Sequence, residues 1–575
     1  MNSGFGRQPE SQWTRNLVEL AVSFVIAVIL LRGFILEGYL ISTGSMAPGL
    51  LGFHKRIECP TCDYSFAFGV SFDESVEATE LSEAAVTASY ATCPNCGQSN
   101  IDVAGVPVNH GDQLLVHKDV FDFRRPRRWE TVVFRNPANP GEAYVKRVVG
   151  LPGETVQVVK GNLFIEGAIA RKDFATVKDM RIEVFDLAHL ADSDEWQMPW
   201  RVDGNWSSVN GRLVCRADNA ADGAADHVHW LQLRNWRWSG GVHYSEVSLP
   251  LSDGLSDWQS CLVELQRRPI SWLTKLEYDQ ANEVLRLQGV MPYQMQQDLG
   301  SWADSDEFRR AVYRLGALSH MAPVTDRYGY NGSVRSPEYP VADLALLAEI
   351  SWSDPPAVIS VRVPVQHEIV RLELYPLTGK AALYSADSSK PIRSGTFAVN
   401  DATSDSVQLK IEASNFDHRV LLAVNDKLLF AELDLALTED LTKERPRPSS
   451  IDAKAAARAN SLAVIQQHRW GLGIAGGSVK LETLTLYRDV YYTPGRRKNG
   501  VDSPYLVEQD AYFVHGDNSP VSSDSRGWRF PCVPHKLLLG KPFIVHLPSR
   551  PGKLMLGGYE LPIRIPDFDR IRYIH

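Results

Sequence analysis

Leu40-Ile41-Ser42-Thr43-Gly44-Ser45-Met46-Ala47-Pro48 lies a few residues beyond an apolar N-terminal segment, and far downstream the chain reads Ala143-Tyr144-Val145-Lys146-Arg147-Val148-Val149. The second stretch, rich in β-branched residues, reads as a buried strand. A serine hydroxyl is a poor nucleophile near neutral pH and needs a base within hydrogen-bond reach. Lysine can serve as that base only when neutral, and burial among apolar neighbours favours its neutral form. Ser45 and Lys146 are therefore a candidate nucleophile and base. Arg147, on the opposite face of the strand, is expected to stay charged and to pair or meet solvent. Alone, a lysine in a strand reads as an edge or surface charge, so the assignment needs support from the rest of the chain.

The chain has 575 residues, 44% of them hydrophobic and 22% charged, which is too long for one domain and ordinary enough to fold as several. A net charge of -9 with no basic stripe argues against nucleic acid as a partner. Four of the seven cysteines form two C-x-x-C pairs, a spacing that suits metal binding better than a disulfide framework.

From Leu17 to Leu36 the residues are almost all apolar, interrupted by Glu19 and Arg32. The twelve uncharged residues between those charges fall short of the roughly 20 needed to span a bilayer core. The expected transmembrane helix therefore takes in residues 17–36, with the two charges near the interfaces and Arg32 snorkelling. A cleaved secretory signal is the rival reading, but no small-x-small site follows and Glu37 to Met46 carries the candidate chemistry, so a retained anchor is preferred. Arg7 and Arg15 lean toward a cytoplasmic N-terminus, a vote that Lys55 and Arg56 weaken.

Four stretches now fall in order. They are Glu37 to Pro48; Gly111-Asp112-Gln113-Leu114-Leu115-Val116; Tyr144 to Glu154; and Gly516-Asp517-Asn518 followed by Ser522, Asp524, Ser525 and Arg526. Together they resemble the boxes of bacterial type I signal peptidase, the Ser-Lys dyad family. The resemblance implies Ser45 as nucleophile and Lys146 as general base. It implies that the Ser45 backbone N–H and the Thr43 hydroxyl form the oxyanion hole, Thr43 standing where the family has a serine. Ser522 matches the residue that orients the lysine. Asp524 and Arg526 match a pair that holds their loop near the site, and Gly516, Asp517 and Asn518 match the residues that shape its turn. An ordinary Asx-rich turn is the plain alternative for these last three. Ser42 replaces a proline of the family pattern, Gly49 replaces a threonine, and Trp129-Glu130 stands where the family often shows Gly-Asp. The first two changes delete no catalytic group, and the last bears only on a turn.

The resemblance covers about residues 15–56, 108–167 and 510–545. Between these lie two insertions. The first, at 53–107, carries Cys59-Pro-Thr-Cys62 and Cys93-Pro-Asn-Cys96 and looks like a zinc ribbon. Two such knuckles bring four thiolates to one structural zinc and leave no open position for catalysis, the alternative being two disulfides. Asp73 to Ala91, rich in Glu and Ala, reads as a helix or loop. The second insertion, at 170–494, reads as mostly β. Val407–Ala413, Val420–Phe430 with a turn at Asn425-Asp426, and Val479–Tyr487 read as strands, while Trp302–Ala317 and Ile451–His468 read as helices. Phe416 to Phe430 and Leu484 to Tyr492 look like parts of a concanavalin-type sandwich. Such sandwiches often bind sugars, so a carbohydrate or protein ligand is expected there. Trp230, Trp236 and Trp238 read as core or interface residues, or else a stacking platform. His227 and His229 read as surface residues, and Cys215 and Cys261 as buried thiols or one disulfide.

The expected organisation is a mostly β protein: cytoplasmic residues 1–16, a transmembrane helix at 17–36, a catalytic domain at 37–52, 108–169 and 495–550, the two insertions, and a C-terminal tail at 551–575. The expected function is that of a signal peptidase I, a serine endopeptidase anchored in the cytoplasmic membrane with its catalytic domain on the exoplasmic side. It would remove signal peptides from secreted preproteins at Ala-x-Ala-like sites at the surface of the lipid bilayer, with no cofactor for catalysis. Two alternatives stand beside it: an inactive membrane scaffold that works through the β insertion, and a Ser-Lys self-cleaving switch, which normally carries a DNA-binding module.

Overall fold

The structure, a computed structural model, describes residues 10–30, 33, 35–70, 90–209, 212–216, 228–238, 240–241, 244–267, 275–332, 338–365, 368–385, 388–399, 407–430, 433–434, 469–494, 498–546, 548–556 and 559–574. Mostly antiparallel β structure dominates. One eight-stranded sheet carries the candidate site. In it Leu36–Leu40 pairs with Gln113–His117, which pairs in turn with Leu538–His546. Thr131–Arg135 joins that strand to Ala143–Gly150, and Ala511–His515 follows. Gln113–His117 alternates half-buried and buried residues, as a strand with one face on a core must. Its inward Leu114 and Val116 pack with Ile41, Met46, Leu50, Val133 and Val545, so the core beneath the sheet also seats the Ser45 loop.

The N-terminal helix spans Glu10–Leu30, and Leu36 already begins a strand. The expected helix at 17–36 is corrected at both ends. Apolar character runs past the helix because Leu36 and Leu40 are strand residues whose register is fixed by pairing across the sheet. Among the described residues no helix is long and apolar enough to cross a membrane. Leu17, Val18, Leu20, Val22, Phe24 and Ile26 of this helix are exposed.

In the second insertion a nine-stranded and a seven-stranded sheet face each other. Leu344, Leu346 and Ile350 of one and Ile359, Val361 and Leu372 of the other share a single core. The expected strands appear as Val407–Ser414, Arg419–Val424 and Ser478–Arg488. Asn425 and Asp426, both at positive φ, turn the chain into Lys427–Leu428. The expected helix at Trp302–Ala317 appears as Asp306–Ser319, and a second helix, Tyr293–Trp302, precedes it. Ser305 separates them, its hydroxyl accepting the Phe308 N–H at 3.2 Å as an N-cap. With Leu251–Arg267 they accompany a three-stranded sheet around a core of their own, a unit that the sequence reading did not separate. Ile451–His468, His227 and most of Asp73–Ala91 lie outside the described residues; Tyr90–Ala91 is a short strand.

Two further expectations, for His229 and for residues 551–575, are corrected, and of the two alternatives for Cys215 and Cys261 the structure has buried thiols. His229 is buried, because it lies on the inward face of the strand His229–Leu233, where its ring accepts the Asn205 N–H at 3.3 Å. Cys215 and Cys261 are separate buried thiols in different cores, and burial pushes each up to about 12. Residues 551–575, expected as a tail, contribute to a hairpin of Ser549–Leu556 with Tyr559–Pro566 and a short strand that pairs with Leu538–His546. The tryptophans do not form one platform: Trp230 lies under the Arg362 guanidinium, and Trp236 stacks on His320.

Candidate active site

Ser45 lies in the turn that follows the Leu36–Leu40 strand. Hydrogen bonds from Ala47 N–H to the Gly44 carbonyl at 3.1 Å and from Leu50 N–H to the Met46 carbonyl at 2.8 Å close that turn. The Gly111-Asp112 pair clamps it. Asp112 N–H donates to the Leu51 carbonyl at 2.8 Å, its carboxylate accepts the Leu51 N–H at 2.9 Å, and its carbonyl accepts the Ile41 N–H at 2.9 Å. A Cβ on Gly111 would sit 1.7 Å from the Ile41 carbonyl oxygen, so only glycine permits this approach. Arg570, from the supposed tail, donates to the same Asp112 carboxylate at 2.8 Å.

Lys146 and Arg147 leave the Ala143–Gly150 strand on opposite faces, and both are buried. Lys146 Nζ donates to Ser522 Oγ at 3.3 Å. Arg147 holds Asp517 through two bonds of 2.8 and 2.7 Å, and also reaches Asp179 at 3.0 Å and the Trp129 carbonyl at 2.6 Å. Burial opposes its charge, but the neighbouring Asp517 and Asp179 carboxylates outweigh that and raise its pKa. Asp517 thus anchors the 516–526 loop to the lysine strand besides shaping a turn.

Within that loop Asp524 and Arg526 form a fully buried bidentate pair at 2.9 and 2.6 Å. Burial raises the Asp524 carboxyl, yet the Arg526 guanidinium more than offsets this and holds it below the usual carboxylate range. Gly516 N–H donates to Asp524 at 3.2 Å, and a Cβ on Gly516 would lie 2.3 Å from Ser522 Oγ and 2.4 Å from the Ser45 carbonyl oxygen. Asn518 donates its backbone N–H to the Ser45 carbonyl at 3.0 Å and its side chain to the Gly44 carbonyl at 2.9 Å. Ser42, Thr43, Ser45, Lys146 and Ser523 line one cleft of about 340 Å³. Of the expected site residues Thr43, Ser45 and Lys146 line this cleft, with Thr43 exposed in its wall, while Gly516, Asp517, Asn518, Ser522, Asp524 and Arg526 lie behind it in the hydrogen-bonded loop.

Sequence reasoning missed the contribution of the insertions. Gly69 and Val70 of the first and Tyr330 and Asn331 of the second line the same cleft. The Tyr330 ring sits where a Cβ on Gly44 would come within 2.2 Å and one on Gly69 within 2.3 Å, and its hydroxyl donates to the Phe53 carbonyl at 3.1 Å. Tyr328 donates to the Asp517 carbonyl at 2.6 Å. The Tyr-Gly-Tyr-Asn-Gly run at 328–332 carries only a turn signal.

Trp129 adopts φ 69°, the left-handed conformation that favours glycine. Lys172 Nζ lies 4.8 Å from its ring centroid. Glu130 accepts two bonds from Arg124, at 2.8 and 2.5 Å, and the Arg127 N–H at 3.0 Å.

The four cysteines Cys59, Cys62, Cys93 and Cys96 are buried and unbridged, with all sulfurs within 4.8 Å of one another. Cys59 and Cys96 are 3.6 Å apart, Cys62 and Cys93 3.7 Å. Zinc–sulfur bonds of about 2.3 Å in a tetrahedron place sulfurs about 3.7 Å apart, so this donor set fits zinc.

The family described as signal peptidase, peptidase S26 matches residues 105–203 and 458–547, which include Lys146 and the 516–526 loop and leave Ser45 outside. Signal peptidase I of Leptolyngbya laminosa is 46% identical over 63 residues, covering 10% of this chain and 31% of that protein. Signal peptidase I of Pseudomonas aeruginosa is 27% identical over 141 residues, covering 21% of this chain and 49% of that protein. Signal peptidase I V of Bacillus subtilis is 34% identical over 76 residues, 12% of this chain and 44% of that protein. The chain thus spans between about a third and a half of the length of these curated relatives. A β-fructofuranosidase structure from Schwanniomyces occidentalis aligns over 66% of this chain and 67% of its own at 7% identity, with a TM-score of 0.16, too low to inform the fold.

Proposed function

We propose that this chain is a signal peptidase I, a serine endopeptidase that removes signal peptides from translocated preproteins. One observation carries the reading: Lys146, buried in a strand, meets Ser522 at 3.3 Å and lines the same cleft as Ser45. The similarity to curated signal peptidases and to the peptidase S26 family supports it.

In this reading Ser45 Oγ attacks the scissile carbonyl while neutral Lys146 accepts its proton, and Lys146 then delivers that proton to the leaving amine. Water hydrolyses the resulting ester with Lys146 again as base. The Ser45 N–H and the Thr43 hydroxyl stabilise the oxyanion, and Ser522 orients the lysine. Asp524 with Arg526, and Gly516, Asp517 and Asn518, hold the supporting loop. The exposed apolar side chains of the N-terminal helix support contact with the bilayer, with the cleft on the exoplasmic side of the cytoplasmic membrane. The preprotein sites would be Ala-x-Ala-like. The four cysteines would hold a structural zinc in a ribbon-like insertion, and the paired sheets would make a concanavalin-like sandwich with a carbohydrate or protein ligand.

The test is cleavage of a model preprotein with an Ala-x-Ala site in detergent micelles. Cleavage by wild type and none by Ser45→Ala is expected; failure of both to cut would refute the activity.

A further inference from the structure

Asn331 comes from the second insertion, 187 positions before its partner Asn518. The two side-chain amides bond reciprocally: Asn331 Nδ2 donates to Asn518 Oδ1 at 2.6 Å, and Asn518 Nδ2 donates to Asn331 Oδ1 at 2.8 Å. The other proton of Asn518 Nδ2 goes to the Gly44 carbonyl at 2.9 Å. Turned over, the Asn518 amide would set its oxygen against that carbonyl, acceptor against acceptor. The Gly44 carbonyl thus sets which way the Asn518 amide faces, and the two bonds to Asn331 hold that amide in place against it.

The Gly44 carbonyl and the Ser45 N–H are the two ends of one planar trans peptide and point in opposite directions. Holding the carbonyl on Asn518 sets the direction of the Ser45 N–H. We propose that Asn331 is a positioning residue for the oxyanion hole: through Asn518 it aims the Ser45 N–H at the developing negative charge, so a residue of the inserted domain governs the rate of the chemical step. The inference rests on the reading of Ser45 as nucleophile. Ala47 N–H also holds the Gly44 carbonyl, at 3.1 Å, so the loss on removing Asn331 is partial. The neighbouring contacts of Tyr328 with Asp517 and of Tyr330 with Phe53 hold the Asn331 segment against the site.

The experiment uses full-length chain in micelles with an Ala-x-Ala preprotein, kcat being normalised to the fraction of chain titrated by a serine-acylating probe. Wild type must cut and Ser45→Ala must not; otherwise the activity reading fails and not this inference. Removing an oxyanion donor outright costs about 10²–10³ in kcat, and this indirect loss should be smaller, about tenfold for Asn331→Ala with KM changed less than about twofold. A peptide aldehyde, which forms a tetrahedral adduct at Ser45, should lose affinity by the same factor, while the cleaved product peptide keeps its own. Asn331→Asp, nearly isosteric, covers the case in which the alanine variant does not fold. Its carboxylate cannot donate to Asn518 Oδ1, and kcat should fall at least as far. Normal kcat in the variant that folds would overturn the inference, as would equal losses of aldehyde and product affinity.

Discussion

Lys146 Nζ lies 3.3 Å from Ser522 Oγ, although 376 positions separate the two residues in the chain. The contact gives the lysine a fixed direction inside a buried pocket, which a long flexible side chain would otherwise lack. Lys146→Ala should lower kcat by at least the 10²–10⁴-fold that general-base catalysis contributes, and Ser522→Ala by a smaller factor with KM little changed. Steady-state cleavage of the preprotein measures both. Wild-type turnover by Lys146→Ala would refute the base assignment.

Gly516 faces the Ser45 carbonyl and the Ser522 hydroxyl at distances no Cβ tolerates. Gly516→Ala should push the two halves of the site apart and abolish cleavage. Labelling of Ser45 by a serine-acylating probe should fall with it, whereas Gly105→Ala, where nothing lies within 4 Å of the added carbon, should leave both unchanged.

Asp524 and Arg526 are both fully buried. Removing one member leaves the other charge uncompensated, so Arg526→Met should cost about 3–5 kcal/mol in denaturant unfolding. The same substitution also removes bonds to the Thr493 and Ser519 carbonyls, at 2.8 and 3.2 Å. An unchanged midpoint would mean that the loop is held by other contacts.

Burial pushes the Glu130 carboxyl up, but Arg124, the Arg127 N–H and Lys541 together overcome this and hold it at about 2. Its folded value is below the unfolded one, so the stabilisation is present above about pH 4.5 and is lost as pH falls through about 2. Glu130→Gln should therefore flatten the acid limb of stability, seen as a smaller drop in urea midpoint between about pH 5 and about pH 3. A wild-type acid limb in the variant would count against this assignment.

The four thiolates predict about one zinc per chain. Chelation should release it and lower the unfolding temperature. Because Gly69 packs against Tyr330, cleavage should weaken as well. Purified protein without zinc and with oxidised cysteines would exclude the site.

Much of the candidate site was legible because its residues sit in short runs with chemical character: a serine beside glycine, a lysine in an apolar strand, a Gly-Asp-Asn turn. Glu130 and Trp129 show how far such reading goes. The departure from Gly-Asp pointed to a turn, and the turn keeps the left-handed backbone with tryptophan in place of glycine. Asn331 and Tyr330 were not legible, since their role lies in contacts with Asn518 and Gly44 that no local pattern encodes. The end of the N-terminal helix failed for a related reason. Leu36 is as apolar as the helix before it, and only its pairing with His117 makes it a strand.

The ring of Tyr330, seated between Gly44 and Gly69, also bears on the order in which the protein matures. On a ribosome, 285 residues must be added after Ser45 before Tyr330 exists, and the Asp524–Arg526 pair comes later still. A nascent chain already carrying Ser45 would lack both the ring wedged against its turn and the loop whose Ser522 meets Lys146. On the proposed roles of Ser45 and Lys146, such late, long-range closure would leave the hydrolase inert until nearly all of it has been synthesised.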